Sequence, residues 1–424
     1  MTYNMKNCPE APLTSLLSFI VDNRGKTVPT AETGHVLIAT NCIRNEYLYP
    51  IYEKVRYLTE ETFQTWFRAH PEPGDIIFVN KGTPGRVCMV PDPVDFCIAQ
   101  DMMAFRVDPS KIYNKYLLAI LRSERIQKQI DNSQVGTLIP HFKKANLKTL
   151  MIPVPDMEVQ RKIGDFYFLL SEKMEVNRTI NKMLERLAHE TFRDQFVDFS
   201  VFDESYKTSP LGDDIPESLG MFQIGELNPI LETGKRPKGG AVAQGVPSVG
   251  AENVKQLGEF NLANAKYIPF DFAKTLSKGK VNGYEVMIYK DGGKPGTFIP
   301  HFSMFGEGFP YDEFYINEHV FKLDFGDRGY NEFTYLYFHT DYVMNWLANN
   351  GGKAAIPGIN QNDIRSIYVY DPNHPRVKNF CKWVQPIFKT ILGNCAENLR
   401  LTELRDTLLP RLVSGEIDVS ELRL

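Results

Sequence analysis

The sequence lacks a basic excess: 48 Lys and Arg face 52 Asp and Glu, for a formal net charge of −4. A broadly cationic, sequence-indifferent nucleic-acid binder is thereby excluded, and any such contact must come from local patches. Six cysteines (Cys8, Cys42, Cys88, Cys97, Cys381, Cys395) are scattered, with no C-x-x-C pair and no histidine at zinc spacing. That excludes a disulfide framework and a structural zinc site, and the expectation is reduced, mostly buried thiols in a cytoplasm. No stretch approaches ~18 apolar residues, and the start, MTYNMKNCPEAPLTSLLSF, has no basic segment followed by a long apolar run; neither a membrane span nor a signal peptide is expected.

Reacting constellations are missing too. GKRPKGG at Gly234 has glycine and lysine in the wrong order for a phosphate loop, and there is no G-x-S-x-G elbow or H-E-x-x-H helix. PDMEVQRK (Pro155 to Lys162) superficially resembles a nuclease motif but falls at a helix start, and YDPNHP at Tyr370 lacks the consecutive prolines of an adenine methyltransferase motif. No catalytic residue and no metal ligand is assigned.

What is present is a repeat. With 424 residues, 43% hydrophobic and 24% charged, the chain is too long for one ordinary core and too apolar for disorder, so two domains are the default. IPHFKKANLKTLMIPVP (Ile139 to Pro155) returns as IPGINQNDIRSIYVYDP (Ile356 to Pro372), and one offset of 217 pairs Pro140 with Pro357, Asn177 with Asn394, Asn181 with Asn398 and Leu184 with Leu401. Upstream the offset drifts, but PEPGDIIFVNKGTPG (from Pro71) still answers to VNGYEVMIYKDGGKPG (from Val281), and Gly25 onward to Gly234 onward. The period is domain-sized, a duplicated mixed α/β unit followed each time by a long helix.

After Asp156, a candidate N-cap, a proline-free stretch runs to about Phe196. Ile163, Phe166, Leu170, Lys173, Asn177, Ile180, Leu184, Leu187 and Thr191 alternate steps of three and four, the seam of a coiled coil. The second seam is Phe380, Trp383, Ile387, Thr390, Asn394, Glu397, Leu401, Leu404 and Leu408. An antiparallel pair is favoured, because it gives the chain a pseudo-twofold axis. Asn177 and Asn394 then either hydrogen-bond near that axis or face solvent at the groove. Pro386 predicts a kink and Pro410 the end of the second helix. A helix of ~30 residues would measure ~45 Å, a ruler against the ~34 Å turn of a duplex.

Each half also carries exposed polar loops. Lys81, Thr83 and Arg86 sit on NKGTPGR, and Lys290, Asp291 and Lys294 on KDGGKPG. Lys26 precedes the first, Lys235 and Arg236 the second. Beside the repeated Ile-Pro stand His141, Lys143 and Lys144 in one half, and Asn360 and Gln361 in the other. Such side chains can hold phosphates or read base edges. Each loop taken alone is equally a hairpin turn with solvated charges, and a lone histidine is ordinarily a packed or capping group. The aromatic runs, such as FHTDYVMNW (from Phe338), have the helical spacing of core residues.

LKTLMIPVPDMEVQRKI, leading into NRTINKMLERLAHETFRDQFVDF, then IPESLGMFQIGEL and the closing LTELRDTLLPRLVSGEIDV resemble the specificity subunit of type I restriction-modification enzymes. Two features depart from its pattern: Leu219 stands where Trp is frequent, and YVYDPNHPRVKNF replaces the P-x-P…Q connector of Pro153 to Gln160. The resemblance implies an α+β chain of two pseudo-repeated mixed α/β target recognition domains separated by two long helices, which form an antiparallel, pseudo-twofold coiled coil. The expected boundaries are 1–157, 158–200, 201–373 and 374–424. Each domain would read one half of a split, asymmetric site in double-stranded DNA, without catalysis by this chain. The helices would dock two modification subunits, which use S-adenosylmethionine to methylate adenine, and two ATP- and Mg-dependent restriction subunits would complete the complex. A protein-only scaffold with duplicated domains, and a single-chain enzyme with unfamiliar catalytic residues, are the alternative readings.

Overall fold

Ile76–Val79 is buried at all four positions, the mark of a central strand covered on both faces. The computed structural model describes residues 8–23, 25, 27–134, 139–260, 265–292, 296–352 and 357–419. These divide into one unit of residues 1–176 and 400–424 and another of residues 177–399.

In the first unit the strands are β1 (Glu10–Pro12), β2 (Leu17–Val21), β3 (His35–Ile38), β4 (Arg56–Leu58), β5 (Ile76–Val79), β6 (Val87–Met89), β7 (Phe96–Ile98), β8 (Met102–Val107) and β9 (Met151–Pro153). Helices α1 (Glu60–Thr65), α2 (Asn114–Leu121) and α3 (Glu124–Asn132) lie between them, and α4 (Met157–Phe196) follows. One antiparallel sheet has the order β2-β8-β5-β6, and a second, β4-β3-β7, joins β3 to β7 in parallel. β1 pairs with β9, so the start of the domain is fastened to its end.

The second unit repeats this plan. Its strands are β10 (Tyr206–Thr208), β11 (Asp214–Pro216), β12 (Met221–Gln223), β13 (Ile230–Thr233), β14 (Val246–Val249), β15 (Lys266–Ile268), β16 (Val286–Tyr289), β17 (Phe302–Ser303), β18 (Tyr315–Ile316), β19 (Val320–Asp324) and β20 (Tyr368–Tyr370). Its helices are α5 (Phe270–Lys274), α6 (Arg328–Phe338), α7 (Asp341–Gly351), α8 (Gln361–Arg365) and α9 (Pro375–Val413). The sheets β13-β19-β16-β17 and β15-β14-β18 match those of the first unit, and β12 pairs with β20 as β1 does with β9. Gly34 and Gly245 show the correspondence at one atom: a Cβ on either would lie 2.1 Å from a carbonyl oxygen, of Leu58 or Ile268, so only glycine lets β3 and β14 approach their neighbours.

The helices pair antiparallel inside each unit. In the first, the early turns of α4 (Val159, Ile163, Tyr167) share a core with Leu409 and Leu412 near the end of α9. In the second, Ala188, Phe192 and Phe196 from late α4 share a core with Val377, Phe380 and Val384 from early α9. Phe192 and Phe196 both stack edge-on against Phe333 and Phe380 at centroid distances of 5.0–5.7 Å. The run from Phe338 is core: Phe338, Val343 and Leu347 are fully buried.

The expected seam needs correction. Ile163, Phe166, Leu170 and Phe380 are buried, and Leu184, Ile387, Leu401 and Leu408 are partly buried against the cores. Ile180 (38%), Leu187 (47%), Trp383 (37%) and Leu404 (44%) are exposed. Their seam positions are taken one residue later by Asn181, Ala188, Val384 and Arg405. A seam of period 3.5 slips on a helix of 3.6 residues per turn. Here the inward positions recur every eleven, as in the buried Ile163, Met174 and Phe196 with the half-buried Glu185, or the buried Val377 and Phe388 with the half-buried Leu399, which is about 3.67 per turn.

The helices are also longer than expected, 40 and 39 residues, or ~60 Å. Pro386 lies within α9 without interrupting it, and Pro410 does not end it. Proline removes one N–H but keeps a helical φ, and the stop comes at Gly415 (φ +72). There the N–H groups of Gly415, Glu416 and Ile417 turn back to the carbonyls of Leu412 and Arg411. No helix among the described residues is long and apolar enough to cross a membrane.

Phe192→Ala is expected to destabilise the isolated chain by ~3–5 kcal/mol, whereas Leu187→Ala should stay within ~0.5 kcal/mol. Chemical denaturation reads both, and the opposite ranking would restore the heptad seam.

Candidate nucleic-acid interface

Three chain segments are knotted together at the same place in each unit. In the first, the turn after β5 meets the link between β7 and β8 and the stretch around Pro140. Asn80 N donates to Asp101 O (3.0 Å), Gly82 N to Pro140 O (3.0 Å), and Phe142 N to Asn80 O (2.8 Å). In the second, Lys290 N donates to His319 O (3.0 Å), Gly292 N to Pro357 O (3.0 Å), and Ile359 N to Lys290 O (2.8 Å). Lys81 forms an isolated bridge with His141, and Asp291 with Gly358.

This explains the repeated Ile-Pro stretch. Pro140 and Pro357 present the carbonyl that caps a glycine of the turn. Those glycines, Gly82 (φ +85) and Gly292 (φ +138), adopt backbone angles that side chains disfavour. The second residue after each proline, Phe142 or Ile359, is buried and anchors the segment to its unit. The neighbouring polar residues are therefore held on a rigid base while remaining free to differ.

In the first unit, Lys81 lies 3.9 Å from Asp101, both substantially exposed. Lys144 Nζ donates to Asp22 (2.8 Å), Lys143 is exposed, and Thr83, Arg86 and His141 are half-buried. In the second, His319 Nδ1 bonds Asp291 Oδ1 at 2.5 Å, and its Nε2 stands 3.4 Å from Glu318. Arg236 approaches Glu318 at 3.6 Å. Lys235, Arg236 and Lys266 line a recess of about 170 Å³ together with Ser248, Asn317 and His319. Lys266 is in turn paired with Glu252 (2.8 Å), and Glu318 also lines the recess, so charges of both signs meet there.

Not every sequence-assigned residue points outward. Lys290 turns back, donating to Glu318 O (3.0 Å) and lying over the Phe321 ring. Asn360 is the N-cap of α8: its Oδ1 accepts from Asn362 N and Asp363 N, and Asp363 returns the bond to Asn360 N. Gln361 Nε2 donates to Leu231 O (3.3 Å). Asn360 and Gln361, expected from the sequence to contact DNA, are thus both engaged by backbone groups of their own unit. Lys26 and Lys294 lie outside the described residues. Asp22, Asp101, Lys266, Glu318 and His319 were not assigned from the sequence. Asp101 and His319 each close a short polar stretch just before a strand, and only strand pairing brings them beside the turn.

A family model of the type I restriction modification DNA specificity domain matches residues 28–186. The chain is 24% identical over 402 residues to the Type I restriction enzyme MjaIX specificity subunit of Methanocaldococcus jannaschii, covering 89% of this chain and 85% of that one. It is 25% identical over 409 residues to the HindI specificity subunit of Haemophilus influenzae, covering 81% and 86%. Over most of its length the chain is thus similar to type I restriction enzyme specificity subunits. The crystal structure of such a subunit from M. genitalium shares the fold of this chain, with a TM-score of 0.58, 17% identity and 96% of each chain covered. In this chain the P-x-P…Q connector has a clear task in the first repeat. Gln160, buried, accepts from Tyr113 N (2.8 Å) and donates to Pro155 O (2.8 Å). Its counterpart in the second repeat is Val377, fully buried, so an apolar contact replaces the bonded amide.

Removing the cap with Asn360→Ala should cost the chain ~1 kcal/mol of stability. Urea denaturation tests this against Lys143→Ala, whose exposed side chain predicts a change within ~0.5 kcal/mol.

Proposed function

We propose that this chain is the non-catalytic DNA-specificity subunit of a type I restriction-modification complex, each recognition unit reading one half of a split, asymmetric site. The observation that carries the reading is the knot built twice on identical backbone bonds and dressed with different polar residues. A scaffold that must present two unlike half-site readers from one plan has this form. Lysine and arginine at the knots supply phosphate contacts, which set much of the affinity and its salt dependence, and the remaining polar groups supply base contacts. The near-neutral total charge suits a subunit that shares its grip on DNA with partners.

The long helices suit docking of the modification subunits. In the second unit Ile180, Met183 and Leu187 stand exposed on α4 at steps of three and four, on a face left open by the described residues. By the repeat offset of 217, the corresponding residues of α9 are Glu397, Arg400 and Leu404. The partners would carry the chemistry: two modification subunits using S-adenosylmethionine, and two restriction subunits using ATP and Mg.

Two measurements test the reading. When this chain is co-expressed with its modification subunits, sequencing of methylated genomic DNA should return a two-part adenine-methylated motif. Replacing residues 12–155 by the recognition domain of another subunit should then change one half of it alone. No site-specific methylation would favour the protein-only scaffold, and a change in both halves would refute independent reading. Separately, Met183→Asp should weaken co-purification with the modification subunits by at least ~10-fold while leaving the thermal melting of the isolated chain unchanged; undiminished co-purification would remove α4 from the docking surface.

A further inference from the structure

The two knots carry opposite charge at the same backbone positions. Lys81 and Asp291 each precede the turn glycine and each bridge to the residue after the repeated proline, His141 or Gly358. Asp101 and His319 each lie immediately before the long strand, β8 or β19, and each lends its carbonyl to the residue preceding Lys81 or Asp291. In the first unit the turn therefore carries a cation and the link an anion, 3.9 Å apart. In the second the turn carries an anion and the link an imidazole, joined at 2.5 Å. The four side chains are 30–49% exposed, open to a ligand while held against one another.

The neighbours differ in the same sense. Asn80 and Gln100 flank the first pair, where the second has Lys290 and Glu318. Asn80 is 1% exposed, and its Oδ1 has no hydrogen-bond partner among the described residues; Gln100 Oε1 is in the same condition. Buried amide oxygens left in this state are costly unless a donor reaches them in a complex. In the second unit the link is instead occupied by Glu318, approached by Arg236 and His319.

We propose that this inverted pair is a specificity-determining element of each half-site. The Lys81 ammonium offers only donors, and matches the acceptor edge of guanine, N7 and O6. The Asp291 carboxylate, oriented by His319, offers only acceptors, and matches a base that presents an exocyclic amine in the major groove, cytosine N4 or adenine N6. The same backbone socket thus selects complementary base chemistry in the two halves. This rests on the DNA-reading function proposed above.

The test uses the complex of this chain with its modification subunits, reading the methylated motif by genome sequencing. The unaltered chain should give a two-part motif, with guanine specified in the half assigned to the first unit by domain exchange and cytosine or adenine in the other. Absence of any motif would overturn the DNA-reading function and this inference together. With the motif in hand, the double variant Lys81→Asp, Asp101→His should convert one position of the first half from guanine to cytosine or adenine and leave the second half intact. An unchanged motif would overturn the inference alone. Should that variant fail to assemble, Lys81→Met and Asp291→Asn, purified in the complex, are compared by competition binding on duplexes altered at single positions. Each should lose roughly 5- to 150-fold of discrimination at one position of its own half, the contribution of one good base contact. A pair that merely braces the turn would leave discrimination at every position unaltered, and that result would refute the assignment.

Discussion

Neither core is completed by the repeat that begins it. The first unit closes over Leu409 and Leu412, which come from the helix of the second repeat, and the second unit closes over Ala188, Phe192 and Phe196, which come from the helix of the first. Burying a large apolar side chain contributes ~1.5–3 kcal/mol, so each unit depends on several such groups contributed by the other repeat. The antiparallel order of the helices follows from this exchange. Only when the start of one helix lies beside the end of the other can both cores receive their missing residues.

A polar layer keeps that order in register. Asn177 Nδ2 donates to Asn398 Oδ1 (2.9 Å), and Asn394 Nδ2 to Asn181 Oδ1 (2.8 Å). Because Asn177 corresponds to Asn394 and Asn181 to Asn398 under the repeat offset, each bond is the image of the other. Asn177 is fully buried and also donates to Glu397 (2.7 Å). An amide withdrawn from water without partners costs several kcal/mol on apolar scales, so sliding one helix past the other would break both bonds at once. The sequence pattern leaves Asn177 and Asn394 either hydrogen-bonded near the axis or facing solvent; the structure joins each to the asparagine one turn from its counterpart.

Much of this architecture was legible because a duplication leaves a constant offset. Pro140 and Pro357, Asn177 and Asn394, and the strands β9 and β20 all obey it. The sheet order was not legible, since the parallel pairing of β3 with β7 joins residues about sixty positions apart with no local signature. Of the expected seam on α4, Ile163, Phe166, Leu170 and Asn177 are buried and Leu184 is partly buried, while Ile180 and Leu187 are exposed and the residue after each turns inward, because a three-four alternation drifts on a helix of 3.6 residues per turn. Lys81 was visible as a charged turn residue, whereas Asp101 and His319 were not, since their significance comes from a neighbour far along the chain. Asn360 shows what residue type alone does not convey: an asparagine suited to base reading stands at a helix start, where its oxygen accepts from backbone amides.

The borrowed helix ends also order events in time. On the ribosome, the first unit has its sheets long before it has its last core residues, since Leu409 follows Leu170 by roughly 240 positions, some 10–50 s of synthesis at ~5–20 residues per second. Throughout that interval Ile163, Phe166 and Tyr167 await the helix that covers them. The domain made first is thus finished last, and a break near the end of the chain would be felt in the domain nearest its beginning.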